Sequence, residues 1–186
     1  MNIIDSYLNE TLLNDFIKMR SNISFNKSRI KEINLIPDLT SEDGKIIIEF
    51  DGYYHYTSMK NIIRDNLLKD YCKRKSIKLI QIPYFIQLNS DEIIKYYFDG
   101  ILSDYTPYNS YKHGFINDNI SLPSDFCYNG LLKFISEFNQ LPYSIRDELI
   151  KNSLTVLVDK KLPYIRFLPS NIKISENNYL NFYCKK

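Results

Sequence analysis

The stretch NLIPDLTSEDGKIIIEFDG, residues 34–52, decides the fold that the sequence predicts. Its central Ser-Glu-Asp-Gly, residues 41–44, is a turn signal, and the dense β-branched run at residues 45–51 is typical of a strand. A shorter strand candidate, residues 34–39, precedes the turn, and its proline favours an edge or strand-end position. The stretch as a whole therefore predicts a β-hairpin.

The predicted hairpin gathers acidic side chains on one face. If residues 41–44 form the loop, Asp38 pairs with Ile47 and becomes a diagonal neighbour of Glu49, with about 7–8 Å between the two backbones. Residues two apart on a strand share a face, so Asp51 joins this group. Two carboxylates so placed repel each other, and they can share one hard divalent cation such as magnesium. The opposite face is expected to be the core; it carries Leu39, Ile46, Ile48 and Phe50.

The chain after the hairpin predicts a strand–helix–strand unit. Gly52 allows a sharp departure from the second strand, and residues 58–75 are predicted as a helix. Residues 77–84 alternate like a strand that stops at Pro83. Because this order implies a right-handed crossover, the third strand should join the sheet parallel to its predecessor. The helix is expected to bury an apolar stripe and to carry charged residues opposite it: Met59, Ile63, Leu67 and Tyr71 in the stripe, and Asp65, Lys69 and Lys73 opposite.

The remaining sequence predicts further elements on both sides of this unit. They are a helix at residues 2–19 with an apolar stripe of Ile4, Leu8, Leu12 and Phe16, a polar loop at 22–29, a helix at 91–102, a long loop at 105–130, two helix-like segments within 131–158 separated at Pro142, and one or two short strands within 161–183. This order predicts an α/β chain of the α+β kind, with a mixed sheet flanked by helices. Residues 1–104 are expected to form the core, and residues 105–186 an extension that packs on it or contacts a partner or DNA.

Composition argues against a membrane span, a disulfide framework and a zinc site, and it leaves nucleic-acid binding open. The net charge of +2 predicts no polyanion partner by itself, but residues 60–78 hold seven basic and two acidic residues. Such a stripe can meet phosphates, and it is also common on a solvated helix face. The three cysteines are widely spaced, which argues against a zinc site or a disulfide framework and fits a reducing cytoplasm. No apolar run approaches the roughly 20 residues of a membrane span. The candidate phosphate contacts are Lys60, Arg64, Lys69 and Lys73.

Each of these features also has a plain structural interpretation. Glu49 and Asp51 are typical of the solvated face of a hairpin, and a lone histidine among aromatic residues, such as His55, is typically packed or hydrogen-bonded. The conjunction favours function, because three acids at the open end of the hairpin are followed by a glycine, a histidine and a basic helix. His55 is then a candidate general base or a cation placed against phosphate. A glycosidase would need one acid in an apolar pocket, and nothing in the sequence marks one.

These residues resemble a known nuclease superfamily. Pro37-Asp38 followed by Glu49-Phe50-Asp51 resembles the PD-(D/E)xK signature, with Asp51 where the motif has lysine. The longer string is similar to the branch that contains very-short-patch repair endonucleases and EDxHD homing endonucleases; it comprises residues 47–56, Arg64-Asp65, Tyr71-Cys72 and residues 77–84. The resemblance covers roughly residues 30 to 88.

The resemblance implies a fold and a set of roles. The fold would be the restriction-endonuclease-like mixed sheet, and the metal would be Mg²⁺, with Mn²⁺ able to replace it. The resemblance implies that Asp38, Glu49 and Asp51 bind the metal. It implies that His55 is the general base or contacts phosphate. Asp65 would be a supporting carboxylate, although the helix pattern turns it away from the sheet. Two further positions match supporting residues of the family: Glu10, and Gln81, where relatives often have arginine.

The sequence lacks a clustered DNA-recognition helix, which bears on the partners expected for this chain. The chain looks like the small, cleavage-only subunit of a heterodimeric type IIS restriction endonuclease, which nicks one strand of double-stranded DNA at a site read by a larger protein subunit. Two alternatives stay open. One is a homing or repair nuclease acting alone, and the other is a catalytically degenerate nuclease fold used as a DNA-binding or interaction module.

Overall fold

The computed structural model describes residues 10–86, 88, 90–106, 126–160, 172–174 and 180–182. The chain combines helices with a mixed sheet, as the α+β prediction expected. It divides into two compact units, named here the sheet unit (Met1–Gly52 and Ile63–Asp118) and the helical unit (Tyr53–Ile62 and Asn119–Lys186). Within the described ranges no helix is long and apolar enough to span a membrane.

The sheet unit holds four strands, named by their order along the chain. They are β1 (Phe25–Asn26), β2 (Leu39–Ser41), β3 (Ile46–Asp51) and β4 (Lys78–Pro83), and they lie side by side in that order. β1 and β3 are each antiparallel to β2, whereas β4 is parallel to β3. The parallel pairing confirms the prediction for the third strand. β1 falls in the segment that was predicted to be a loop, because β2 supplies it with a hydrogen-bonding edge.

The hairpin register differs from the predicted one by two residues. Ile47 pairs with Thr40 and not with Asp38, because Ser41 belongs to β2 and the turn begins after it. The Ser41 Oγ accepts the Ile46 N–H at 2.9 Å and donates to Asp43 Oδ1 at 2.7 Å, so this side chain closes the turn. β2 is also shorter than predicted and starts after Pro37. A shift of two residues keeps every side chain on its predicted face.

Replacing Ser41 by Ala is expected to lower the free energy of unfolding by about 1–2 kcal/mol, because the Ile46 N–H loses the acceptor that the buried Ser41 side chain provides. Chemical denaturation followed by circular dichroism would measure the change. Glu42→Ala, an exposed neighbour in the same turn, is the control and should change little. Equal stabilities for the two variants would contradict this account of the turn.

Helix α3 (Met59–Lys75) connects β3 to β4, and its side chains cover a face of the sheet. Leu68 and Cys72 pack with Ile47 of β3 in one buried cluster. Glu49 and Asp51 follow Ile47 at two-residue steps, so the face that carries the acids lies under a helix and is not a solvated face. The predicted buried stripe of α3 is wrong for three of its four residues: Met59, Ile63 and Leu67 are 45%, 60% and 40% exposed. Its fourth residue, Tyr71, is partly buried and packs against this cluster. The residues of α3 that are buried are Ile62, Asp65, Leu68 and Cys72.

Two further helices complete the described part of the sheet unit. They are α1 (Glu10–Arg20), which buries Phe16 and Ile17, and α4 (Asp91–Phe98), which packs beside β4. The carbonyl of Arg20 at the end of α1 accepts both the N–H and the hydroxyl of Ser103 at 2.8 Å. Both helices were predicted, at residues 2–19 and 91–102. Ile4 and Leu8 of the first prediction lie outside the described residues.

The helical unit contains a short helix, two longer helices and a β-hairpin. They are α2 (Tyr54–Thr57), α5 (Tyr128–Gln140), α6 (Tyr143–Lys160), β5 (Ile172–Ile174) and β6 (Leu180–Phe182). The break between α5 and α6 at Pro142 and the antiparallel pair β5–β6 confirm the predictions for residues 131–183. The predicted long loop at 105–130 lies mostly outside the described residues, and its last three residues begin α5.

Candidate carboxylate metal site

Four carboxylates of the sheet unit lie around the end of β3. Asp38 immediately precedes β2, Glu49 and Asp51 belong to β3, and Asp65 belongs to α3. When the observed register is continued by one residue, Asp38 lies opposite Glu49 and not diagonal to it. Because directly opposite residues are closer than diagonal ones, Asp38 and Glu49 are closer to each other than the sequence predicted.

Hydrogen bonds fix two of these carboxylates against the sheet. Asp38 Oδ2 accepts the backbone N–H of Phe50 at 2.8 Å, which ties the residue before β2 to β3. Asp51 Oδ2 accepts a hydrogen bond from Gln81 Nε2 at 3.3 Å. Gln81 of β4 pairs with Glu49 of β3, so its amide reaches Asp51 from the neighbouring strand. Asp38 and Gln81 were both predicted site residues, but the sequence carries no signal for the contact between Asp38 and the Phe50 amide.

Asp65 completes the group from the helix above the sheet. One carboxylate oxygen of Asp65 and one of Asp51 lie within 4.8 Å of each other, and the two residues are 5% and 0% exposed. The prediction that Asp65 points away from the sheet is wrong. A signal for the burial was present in the sequence, since Ile62, Leu68 and Cys72 define a second helical stripe that contains Asp65.

The acid cluster is electrostatically unfavourable in the protein alone. Burial, followed by the charges of the neighbouring aspartates Asp38, Asp51 and Asp65, raises the pKa of Glu49 to about 9, although Arg64 acts in the opposite direction. Glu49 is therefore protonated at neutral pH in the metal-free chain. A divalent cation would replace that proton and offset the repulsion among the carboxylates.

The stability of the metal-free chain is expected to fall as the pH rises from about 5 to about 9. In that window the Glu49 carboxyl keeps its proton when folded and loses it when unfolded, because its pKa is raised from 4.5 to about 9 by folding. Unfolding then releases a proton, so alkaline pH favours the unfolded chain. Melting temperatures measured in EDTA across this window would test the effect. Glu49→Gln should flatten the slope, whereas the exposed control Glu42→Gln should retain it; an equally steep slope in Glu49→Gln would contradict the assignment.

Cys72 lies beside the acid cluster but does not suit metal ligation. Burial, together with the charge of Glu49, raises the pKa of its thiol to about 11. Only the thiolate is a good ligand or nucleophile, so Cys72 is an apolar packing residue of α3.

The basic residues of α3 are exposed. Lys60, Arg64, Lys69 and Lys73 all lie on the surface, as phosphate contacts require. Arg64 donates to the carbonyl of Ile36 at 3.3 Å, which holds it near the start of β2. The last two cations of the helix, Arg74 and Lys75, instead pair with Glu32 at 3.5 and 2.9 Å.

The two other predicted site residues, His55 and Glu10, lie on elements other than β3 and α3. His55 lies on α2 in the helical unit and is partly buried. Glu10 begins α1, and its side chain lies outside the described part of the chain. The sheet unit thus unites Asp38, Glu49 and Asp51 with Asp65.

Comparisons of this chain with known protein families, with curated protein sequences and with solved structures found no match. The chemistry of the donor set is therefore the basis for assigning a ligand. All four acids offer oxygen atoms, which magnesium and calcium prefer over the nitrogen and sulfur ligands of zinc sites.

Proposed function

We propose that this chain is a metal-dependent DNA endonuclease subunit with a restriction-endonuclease-like PD-(D/E)xK core. The observation that carries the proposal is the convergence of Asp38, Glu49, Asp51 and Asp65 between β3 and α3 of the sheet unit. Buried acids of like charge are costly in a structural core, because each must be neutralised by a proton or a cation. A hard divalent cation is the ligand that makes such a group favourable.

The proposal gives each residue a role. Asp38, Glu49 and Asp51 hold Mg²⁺, or Mn²⁺ in its place, and Asp65 supports them. The bound cation supplies a Lewis acid for the scissile phosphate and lowers the pKa of the attacking water. The Phe50 amide and the Gln81 side chain keep Asp38 and Asp51 in their orientations. His55 would accept a proton or contact phosphate.

The exposed cations of α3 support a DNA substrate. Lys60, Arg64, Lys69 and Lys73 would contact backbone phosphates, which gives affinity without sequence selectivity. Sequence reading needs side chains that reach base edges from a helix or ribbon in a groove, and the sequence marks no such element. We therefore assign site recognition to a larger partner subunit and the cutting of one strand to this chain.

A plasmid-cleavage assay tests the proposal. Supercoiled plasmid is incubated with the chain alone and with a co-expressed candidate large subunit, in each case with magnesium and with EDTA. The expected result is site-specific nicking that requires both the partner and magnesium. Cleavage by the chain alone would favour a stand-alone homing or repair-type nuclease. DNA binding with no metal-dependent cleavage under any condition would contradict the proposal and favour a degenerate binding module.

The same preparation permits a test of recognition. A gel-shift experiment with the isolated chain is expected to show weak, salt-sensitive and sequence-independent DNA binding, because phosphate contacts alone supply it. Tight, site-specific binding by the chain alone would overturn the division of labour between the two subunits.

A further inference from the structure

We propose that α5 positions His55 through its contacts with the neighbouring residue Tyr56, so that Tyr56 and Glu137 are positioning residues for the proposed reaction. This inference rests on the proposed function, in which His55 acts on the DNA phosphate or its attacking water. Everything that supports it lies within the helical unit.

Helix α2 cannot hold His55 in one orientation by itself. The helix is four residues long, and a single isolated turn is unstable in water because nucleation costs more than one hydrogen bond returns. Contacts that α2 makes with other elements of the helical unit therefore restrict the direction in which His55 points.

The side chain after His55 is the main anchor. Tyr56 is 0% exposed, and its hydroxyl donates to Glu137 Oε2 of α5 at 2.6 Å. Its ring stacks on Phe126 with 5.3 Å between centroids and meets Phe134 edge-on at 6.1 Å. A buried tyrosine with a paired hydroxyl and two aromatic neighbours has one accessible rotamer, so the Cα position of the next residue back is restrained as well.

Glu137 is itself held in place by a lysine on the same helix. Lys133 Nζ lies 3.9 Å from Glu137 Oε1, and the two side chains are only 10% and 16% exposed. The same ammonium lies 4.8 Å from the centroid of the Tyr56 ring. Lys133, Glu137 and Tyr56 thus form a closed, largely buried group in which each member restricts the others.

The backbone on both sides of His55 is also tethered. The carbonyl of Tyr54 accepts hydrogen bonds from Asn61 Nδ2 at 3.0 Å and from Thr57 Oγ1 at 3.3 Å. The carbonyl of Tyr56 accepts the N–H of Cys127 at 3.1 Å. Because the peptide group before His55 and the one after Tyr56 are both hydrogen-bonded, the imidazole starts from a restrained backbone position.

A reacting group requires restraint of this kind. Catalytic side chains must stay within a fraction of an ångström of the productive geometry, and a displacement of about 1 Å can cost a hundredfold in rate. Residues 126–140, which include α5, would then contribute to the reaction without contacting the substrate.

The test observes His55 directly by nuclear magnetic resonance. His113→Gln leaves His55 as the single histidine, so the imidazole signals of the full chain can be assigned without ambiguity. In this background we expect Tyr56→Phe and Glu137→Leu to shift and broaden the His55 signals. Tyr54→Phe, a change at a 39% exposed tyrosine of the same helix, should leave them in place.

Cleavage kinetics with the partner subunit supply the second readout. Tyr56→Phe should lower kcat about tenfold to a hundredfold and leave KM for DNA unchanged. The variant should stay folded at the assay temperature, although the lost hydroxyl lowers its melting temperature. Glu137→Gln, which keeps an oxygen acceptor, should restore most of the rate lost in Glu137→Leu. A purely structural role would change stability without moving kcat in the stable variants.

The outcomes separate this inference from the proposed function. Unchanged His55 signals and an unchanged kcat in Tyr56→Phe would overturn the positioning role even if the wild type cuts DNA. If the wild type cuts no DNA under any condition, the proposed function fails. The resonance experiment then still decides whether α5 orients His55.

Discussion

Changing Asp51 to Asn is expected to lower the rate of magnesium-dependent DNA cleavage by at least about a hundredfold. Replacing groups that merely support a metal ligand costs 10-fold to 100-fold in metal affinity or activity, so removal of a ligand's charge should cost at least as much. Asp51 is the most buried acid of the cluster, at 0% exposed, which leaves solvent little room to compensate. The asparagine keeps an oxygen that can accept the Gln81 hydrogen bond, so the fold should be preserved.

Single-turnover nicking rates and calorimetric titration with Mg²⁺ would measure the effect on chemistry and on metal binding separately. The melting temperature of the metal-free variant should be equal to or higher than that of the wild type, because one charge of a repulsive cluster is gone. Wild-type cleavage by Asp51→Asn would place the metal centre elsewhere in the molecule.

A matched pair on α3 sharpens this test. Asp65 and Asp70 are aspartates of the same helix, but Asp65 is buried beside the cluster and Asp70 is exposed. Asp65→Asn should reduce metal affinity and cleavage by roughly 10-fold to 100-fold, as expected of a supporting carboxylate. Asp70→Asn should leave both unchanged. Equal behaviour of the two variants would remove Asp65 from the site.

Changing Gly130 to Ala is expected to destabilise the helical unit by about 2 kcal/mol. A Cβ atom on Gly130 would lie 1.7 Å from the backbone oxygen of Tyr56, a distance that cannot be accommodated without moving α5 away from α2. Overpacking of this kind costs about 1–3 kcal/mol and sometimes more. Alanine also favours helix over glycine by about 1 kcal/mol, so the measured loss is what remains after that gain.

Urea denaturation followed by far-ultraviolet circular dichroism would measure the loss. Gly52→Ala is the control, because its added Cβ meets nothing within 4 Å and its backbone does not adopt a positive φ. If Gly130→Ala were as stable as the wild type, the close approach of α5 to the Tyr56 carbonyl would be incorrect. The support proposed for His55 would then lose its basis.

The hairpin acids could be predicted because strand geometry is regular. Alternation along β3 places Glu49 and Asp51 on one face whatever the exact register, since the observed shift of two residues preserves faces. The register itself depends on the side chain of Ser41, which replaces a backbone partner inside the turn. Turn signals identify such a segment without fixing its first residue.

The role of α3 could not be predicted because two apolar stripes compete along it. One stripe contains Ile63 and Leu67, and the other contains Leu68, Cys72 and the charged Asp65. Helix amphipathicity favours burying the stripe without a charge. The structure buries the other, and this choice brings a fourth carboxylate to the end of β3.

The sequence by itself determined the order of every sheet-unit element except β1, the parallel β3–β4 pair and the common face of Asp38, Glu49 and Asp51. Each of these follows from local rules that act over a few residues: strand alternation, turn chemistry and the handedness of a crossover. Only the tertiary structure decided that α3 covers this face, that Asp65 joins it, and that α5 holds the turn carrying His55. Those features depend on contacts between residues distant in the chain. Such contacts can bury an acidic side chain, here Asp65, that the local helix pattern predicts to be exposed to solvent.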